Sequence, residues 1–182
     1  MFSIQIDEQL QLKLLQEYDA EELFTVMKGS KESLREWLPF IDSNESAEDT
    51  LQFIRSSLKQ FSANDGFQTA IVYKGKIVGV IGFHHINWQN KSTSLGYWLS
   101  KDYEGLGFMT KSVRKLLDHA FHNLKLKRVE IRAAIANNKS RAIPERLGMT
   151  LEGVSRQSEW LYDHFVDHAV YSILVEEWKI RS

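Results

Sequence analysis

An α/β fold of the α+β kind, with a mixed and mostly antiparallel sheet flanked by helices, is what this sequence predicts. Three observations carry that expectation. Apolar residues recur at helical spacing through the first third of the chain, and runs of strand composition begin at Phe67 and return after Arg128. Near residue 105 a glycine-containing corner joins a strand to a strongly amphipathic helix.

The opening residues, MFSIQIDEQLQL, alternate polar and apolar types and lack the basic start and apolar run of a signal peptide. Asp19 followed by Glu22 has the spacing of a capping box, and Leu23, Met27, Leu34, Trp37 and Leu38 supply apolar positions for one or two helices that end at Pro39. Ser46 with Asp49 predicts a second cap, after which Leu51, Ile54, Leu58 and Phe61 share one helical face. The first third is therefore expected to be helical. Strands are predicted over 68–73 and 77–83, joined by a tight hairpin through Lys74-Gly75, and again over 93–99. Val113, Leu116, Leu117, Ala120, Phe121 and Leu124 mark the amphipathic helix. A half-buried strand over 129–135, a short helix over 141–147 closed by Gly148, and two strands near 153–160 and 168–175 complete the sheet.

The chain has 182 residues and neither a Pro/Ser-rich linker nor a block of like charge, so one domain over 1–182 is expected. Its parts are a helical segment (about 1–65), a core (about 66–150) and C-terminal strands (about 151–182). Hydrophobic residues make up 43% and charged residues 26%, too apolar for a disordered chain. Lys plus Arg number 23 against 24 acidic residues, and a net charge of -1 creates no field to draw in nucleic acid or an anionic membrane. The absence of cysteine excludes disulfides, thiolate metal sites and a cysteine-linked acyl intermediate. No stretch approaches a membrane span, and a cytoplasmic location is expected. His84-His85 face opposite ways on a strand, and His119 with His122 lack a carboxylate to complete a site, so no metal is expected. The apolar content of the C-terminal strands suggests a homodimer or higher homo-oligomer.

The chemistry is concentrated in Tyr103-Glu-Gly-Leu-Gly-Phe-Met-Thr110. Gly105 and Gly107 allow close approach, and backbone N–H groups at the start of the following helix would hold a pyrophosphate, with Lys111 or Arg114 adding charge. A plain glycine turn into a core helix is the simpler alternative. The run Gly105 to Ser112 reads one glycine short of a P-loop: Thr110 stands where that loop needs no Cβ, and no aspartate suited to magnesium ends the next strand. Thr110 also breaks a dinucleotide G-x-G-x-x-G fingerprint.

This segment resembles motif A of the GNAT acetyltransferases, and its Gly-Leu-Gly-Phe-Met-Thr form is similar to the RimJ/RimL branch, which acetylates ribosomal-protein N-termini. Leu34-Arg-Glu-Trp-Leu-Pro39, Leu95-Gly-Tyr-Trp-Leu99, Asn137-Asn-Lys-Ser-Arg-Ala-Ile-Pro-Glu-Arg-Leu-Gly-Met149 and Glu152-Gly153 match that branch in order and spacing. The resemblance implies a sheet with a splayed parallel strand pair, acetyl-CoA as co-substrate without a metal, and a primary amine as acceptor. It makes 1–65 the acceptor side and 66–150 the cofactor side. It implies that Glu104, Gly105, Leu106, Gly107, Phe108, Met109 and Thr110 hold the pyrophosphate. The pantetheine arm would pair with the backbone of Trp98 and Leu99, and Asn137 or Asn138 would touch it from the other side.

By the same resemblance Glu159 is the general base and Ser140 the acid that protonates the departing sulfur, with a helix N-cap as the alternative role of Ser140 and Tyr162 as the fallback acid. The tyrosine that serves as acid in many members of the superfamily is missing after Ala142-Ile143. Without cysteine, direct attack of the amine on the thioester is the economical mechanism. The acceptor remains open between a protein N-terminus, a polyamine, an antibiotic and a free amino acid, and a non-catalytic coenzyme A sensor is the rival from another class.

Overall fold

The computed structural model describes residues 2–181, and the elements run in chain order. Strands β1 (Ser3–Gln5) and β2 (Leu10–Leu14) lead into helices α1 (Ala20–Gly29), α2 (Lys31–Leu34), α3 (Phe40–Ser43) and α4 (Ala47–Ser62). Three strands follow, β3 (Phe67–Tyr73), β4 (Lys76–Asn87) and β5 (Ser92–Leu99), then helix α5 (Phe108–Asp118), which runs on through a wide π-type turn at His119–Asn123. Strand β6 (Arg128–Ala134), helix α6 (Asn138–Arg146), strands β7 (Thr150–Leu161) and β8 (His164–Leu174) and helix α7 (Val175–Arg181) complete the chain. The eight strands form one sheet in the order β1-β2-β3-β4-β5-β6-β8-β7, in which the β5-β6 pair is parallel and the other neighbours are antiparallel.

Alternation along the strands feeds two cores. Ile71, Phe83, Leu95, Val129, Ile131, Tyr171 and Ile173 face α5 and α7, where Val113, Leu116, Leu117 and Trp178 meet them. Ala70, Val72, Ile77 and Val80 face the other way onto Leu23 and Met27 of α1 and Ile54 of α4. The sheet is thus the middle of three layers, covered on each face by an amphipathic helix pattern read in the sequence.

Several local expectations meet their geometry directly. The β3-β4 turn places Lys74 at φ 48° and Gly75 at φ 79°, the two left-handed positions of a tight hairpin. Ser46 and Asp49 form a reciprocal capping box, with Asp49 N donating to Ser46 Oγ at 3.2 Å and Ser46 N donating to Asp49 Oδ2 at 2.9 Å.

Others differ. The alternating N-terminus forms β1 and β2, so the first third is not wholly helical; Leu10, Leu12 and Leu14 are buried against β3 and α5. The Asp19–Glu22 box does not form. Asp19 is buried, accepting from Gln16 N at 2.9 Å and from Lys13 Nζ at 2.6 Å, while Glu22 reaches the sheet and accepts from Ile77 N at 2.7 Å. Pro39 precedes α3 instead of ending the helical region, a position where its missing N–H costs nothing.

On the face of β6 opposite α5, Glu152 accepts from Arg128 Nη2 at 2.7 Å and from Ser172 Oγ at 2.7 Å, and Arg128 also binds Glu130 at 2.8 Å. Hydrogen bonds from Arg128 and then Ser172 pull the Glu152 carboxyl down to about 2. A depressed carboxylate stabilises the fold fully above its ordinary value of 4.5, and that contribution disappears as pH falls from 4.5 toward about 2. The side chain is 39% exposed, so solvent screening holds the effect to about 1 kcal/mol. Glu152→Gln is expected to flatten this limb of the stability–pH curve, measured by urea unfolding between pH 6 and 3.

Candidate active site

The parallel pairing of β5 with β6 runs from Ser92↔Arg128 to Leu95↔Ile131 and stops. Beyond it β5 stays with β4 as far as Leu99↔Gly79, while β6 stays with β8 as far as Ala134↔His168. The two strands therefore part company while each remains held on its outer edge, and a gap opens in the middle of the sheet. Trp98 packs into the α1/α4 core and Leu99 into the α5 core, so the side chains leave by opposite faces and the backbone of residues 96–99 lines the gap. An exposed strand edge of this kind pairs with amide groups of an extended ligand.

At the end of β5 the chain turns through the glycine corner into α5. Gly105 and Gly107 both sit at φ 76°, and Gly107 is the N-cap residue of α5. A Cβ at either would meet no atom within 4 Å, so space is open there and the left-handed backbone is what selects glycine. The helix makes its first turn with Lys111 N donating to Gly107 O at 3.0 Å, which leaves the N–H groups of Phe108, Met109 and Thr110 ahead of the first intrahelical donor. Phe108 (8% exposed) and Met109 (6%) point their side chains into the core, and Leu106 (56%) points to solvent. Those three can offer a ligand only backbone. The corner and the gap together suit a diphosphate attached to an amide-bearing arm.

Charge at the corner is arranged differently from the expectation. Lys111 pairs with Asp7 at 2.8 Å and Arg114 lies over the Trp178 ring at 5.5 Å, so both are engaged elsewhere. Glu104 is bound to Lys139 of α6 at 2.5 Å, and Arg146 of α6 donates to Thr110 Oγ1 at 2.6 Å. Helix α6 thus brings two cations beside the corner, which no local pattern in the sequence announces.

Asn137 is the N-cap of α6: its Oδ1 accepts from Ser140 N at 3.1 Å. Ser140 is therefore not the cap, and its hydroxyl makes no hydrogen bond among the described residues. Asn138 begins the helix and its backbone N–H donates to Ala136 O at 3.0 Å. Helix α6 lies on the α5 side of the sheet, where Ile143 packs against that core.

Glu159, on β7, is on the face of the sheet opposite α5. Ala169 and Tyr171 belong to the α5 core, so His168, one residue out of phase, faces the other side of the sheet beside Ala134, the last residue of β6. Glu159 Oε2 sits 2.9 Å from His168 Nε2. A carboxylate only accepts, so that nitrogen carries the proton. The contact depends on a bulge between Ser155 and Glu159, fixed by Gln157 N donating to Asp167 Oδ1 at 2.7 Å. Without the extra residues, Glu159 would not stand opposite Val166 and beside His168. Sequence reading missed His168, because the pairing depends on register.

Tyr162, the fallback acid, is at the β7-β8 turn, and its hydroxyl donates to Arg35 O at 2.7 Å after α2. It ties the hairpin tip to the N-terminal helices. A cavity of about 560 Å³ between α1 and the end of β5, lined by Glu21, Glu22, Lys76 and Asp102 among others, contains none of the expected site residues. The gap is an open cleft in the sheet, and its geometry weighs more than that cavity.

The Acetyltransferase (GNAT) domain family matches the chain over residues 9–150. Over 181 residues the chain is 35% identical to the putative ribosomal N-acetyltransferase YdaF of Bacillus subtilis (strain 168), with 98% of each covered. It is 26% identical to the ribosomal-protein-serine acetyltransferase of Escherichia coli (strain K12), with 96% of this chain and 97% of that one covered. Among solved structures, the Microcin C7 self immunity acetyltransferase MccE, in complex with acetyl-CoA and AMP, has a TM-score of 0.91 and 29% identity over 94% of this chain and 95% of its own. Matched over most of its length by that family and by a 35% identical relative, the chain belongs to the GNAT acetyltransferase family and is an acetyl-CoA-dependent N-acetyltransferase.

Proposed function

We propose that the chain acetylates the N-terminal α-amine of a protein, a ribosomal protein above all. The observation that carries the mechanism is that Glu159, held by His168 beside the end of β6, is on one face of the sheet and Ser140, at the start of α6, is on the other. A thioester lying in the gap is open to an amine from the Glu159 side and to a proton donor from the Ser140 side. The acceptor is supported by two relatives that match over nearly the whole chain, a putative ribosomal N-acetyltransferase and a ribosomal-protein-serine acetyltransferase.

Acetyl-CoA supplies the acetyl group. An N-terminal α-ammonium has a pKa of ~8, so Glu159 takes one proton to give the neutral amine. The nitrogen attacks the thioester carbonyl, the C–N bond forms and the C–S bond breaks; Ser140 Oγ gives its proton to the departing sulfur and is reprotonated from solvent, which takes up the second proton that the nitrogen sheds on becoming an amide. Backbone N–H groups beside residues 98 and 99 would stabilise the developing oxyanion, an effect of ~3 kcal/mol per donor. Ser140→Ala is expected to lower kcat by about 100-fold. The melting temperature should stay put, because Asn137 supplies the cap.

Incubation with labelled acetyl-CoA and separated fractions of a cell extract tests the acceptor. Label on the N-terminus of a ribosomal protein is the expected result. Label confined to small amines overturns that acceptor, and binding of acetyl-CoA with no acceptor labelled favours the sensor.

A further inference from the structure

Helix α6 contains a proline at position 144, in its interior. A proline there has no N–H to give to the carbonyl four residues back, and that carbonyl belongs to Ser140. The vacancy is filled from outside the helix: Tyr97 Oη donates to Ser140 O at 3.0 Å. Tyr97 lies on β5 two residues past the last β5-β6 pair, in the stretch that lines the gap. Its side chain packs against the α5 core, and burial pushes the phenol above its ordinary range, so it remains a donor at working pH.

The other side of α6 is fixed independently. Arg141 Nη1 donates to Ile135 O at 2.9 Å just after β6, and Tyr171 of β8 donates to Glu145 Oε1 at 2.6 Å. Those ties hold α6 to the β6-β8 half of the sheet. The Tyr97 bond reaches it from the β5 half, across the gap, and ends on the backbone of the residue proposed as the acid.

We propose that Tyr97 and Pro144 act together as a positioning device: the proline frees the Ser140 carbonyl, and the Tyr97 hydroxyl uses it to fix the first turn of α6 against β5, setting where the Ser140 hydroxyl stands relative to a thioester in the gap. The proposal rests on Ser140 as the proton donor. A tyrosine that merely satisfied a buried carbonyl would serve stability alone, and the two roles separate cleanly, because Pro144→Ala returns an N–H to the helix. In that variant the Ser140 carbonyl has an internal donor whether or not residue 97 carries a hydroxyl.

Four variants, Y97F, P144A, Y97F/P144A and S140A, are compared by thermal melting and by steady-state acetyl transfer. Y97F is expected to lose about 3 °C of melting temperature. Its kcat should fall about tenfold, as suits a loss of alignment. P144A should lower kcat about threefold, because its restored N–H competes with Tyr97 Oη for the Ser140 carbonyl, and wild-type kcat there would remove Pro144 from the device. Y97F/P144A should recover the melting temperature and keep the low kcat. Adding Y97F to S140A should lower kcat no further. Recovery of kcat together with stability in Y97F/P144A, or full kcat in Y97F, overturns the positioning role while leaving Ser140 as the acid. Full kcat in S140A removes the acid itself, and with it the reason for positioning it.

Discussion

Glu159→Gln is expected to lower kcat by about 100- to 1,000-fold while leaving the affinity for acetyl-CoA and the melting temperature near wild type. General-base catalysis contributes a factor of about 10² to 10⁴. Glutamine keeps the shape and can still accept from His168 Nε2, which stands 2.9 Å from the present carboxylate, so the bulge between Ser155 and Glu159 should survive. What is lost is a site for the proton of the ammonium. The remaining rate should then follow the fraction of acceptor that is neutral on its own, rising about tenfold per pH unit below a pKa of ~8 and levelling above it. Turnover is measured from pH 6 to 9.5 with saturating acetyl-CoA. A Glu159→Gln enzyme with wild-type turnover at every pH would remove the proposed base.

How far the sequence carried this reading depends on the range of the interactions involved. The hairpin at Lys74-Gly75 and the box at Ser46 and Asp49 are set by neighbours within four residues, and both are legible. The glycine corner is legible for the same reason: left-handed backbone at 105 and 107 needs the residues that stand there. Asp19 has the pattern of a cap, yet its carboxylate is taken by Gln16 three residues before it and by Lys13, and Glu22 is drawn off to the β4 backbone. A competing local box won at Asp19, and a tertiary partner won at Glu22. The functional details hidden from sequence are of this second kind. His168 meets Glu159 only because a bulge shifts the register of β7, Arg146 reaches Thr110 only because α6 docks beside α5, and Tyr97 reaches Ser140 only because the strands part. Resemblance to a family could name Glu159 and Ser140 as candidates, but it could not supply what holds each of them in place.

Gly107→Val is the complementary case: it is expected to weaken acetyl-CoA binding by about 100-fold while kcat at saturation changes little. Gly107 caps α5 at φ 76°, where an L residue costs about 1–2 kcal/mol and a β-branched one more. No atom lies within 4 Å of the added Cβ, so the penalty comes from the backbone and not from a clash. The chain can relieve it by rotating the corner toward negative φ, and that rotation turns the N–H groups of Phe108, Met109 and Thr110 away from the diphosphate. Strain kept in both free and bound protein would cost stability alone, but strain relieved in the free protein has to be restored on binding, and about 2–3 kcal/mol is the factor of about 100. Leu106→Ala is the control, because that side chain is 56% exposed and its contribution to the corner is backbone alone, so affinity should be retained. Isothermal titration with acetyl-CoA on both variants decides the matter. Equal, wild-type affinity in both would mean that the glycine corner does not bind the diphosphate, whereas loss confined to Gly107→Val places the cofactor's charge at the start of α5.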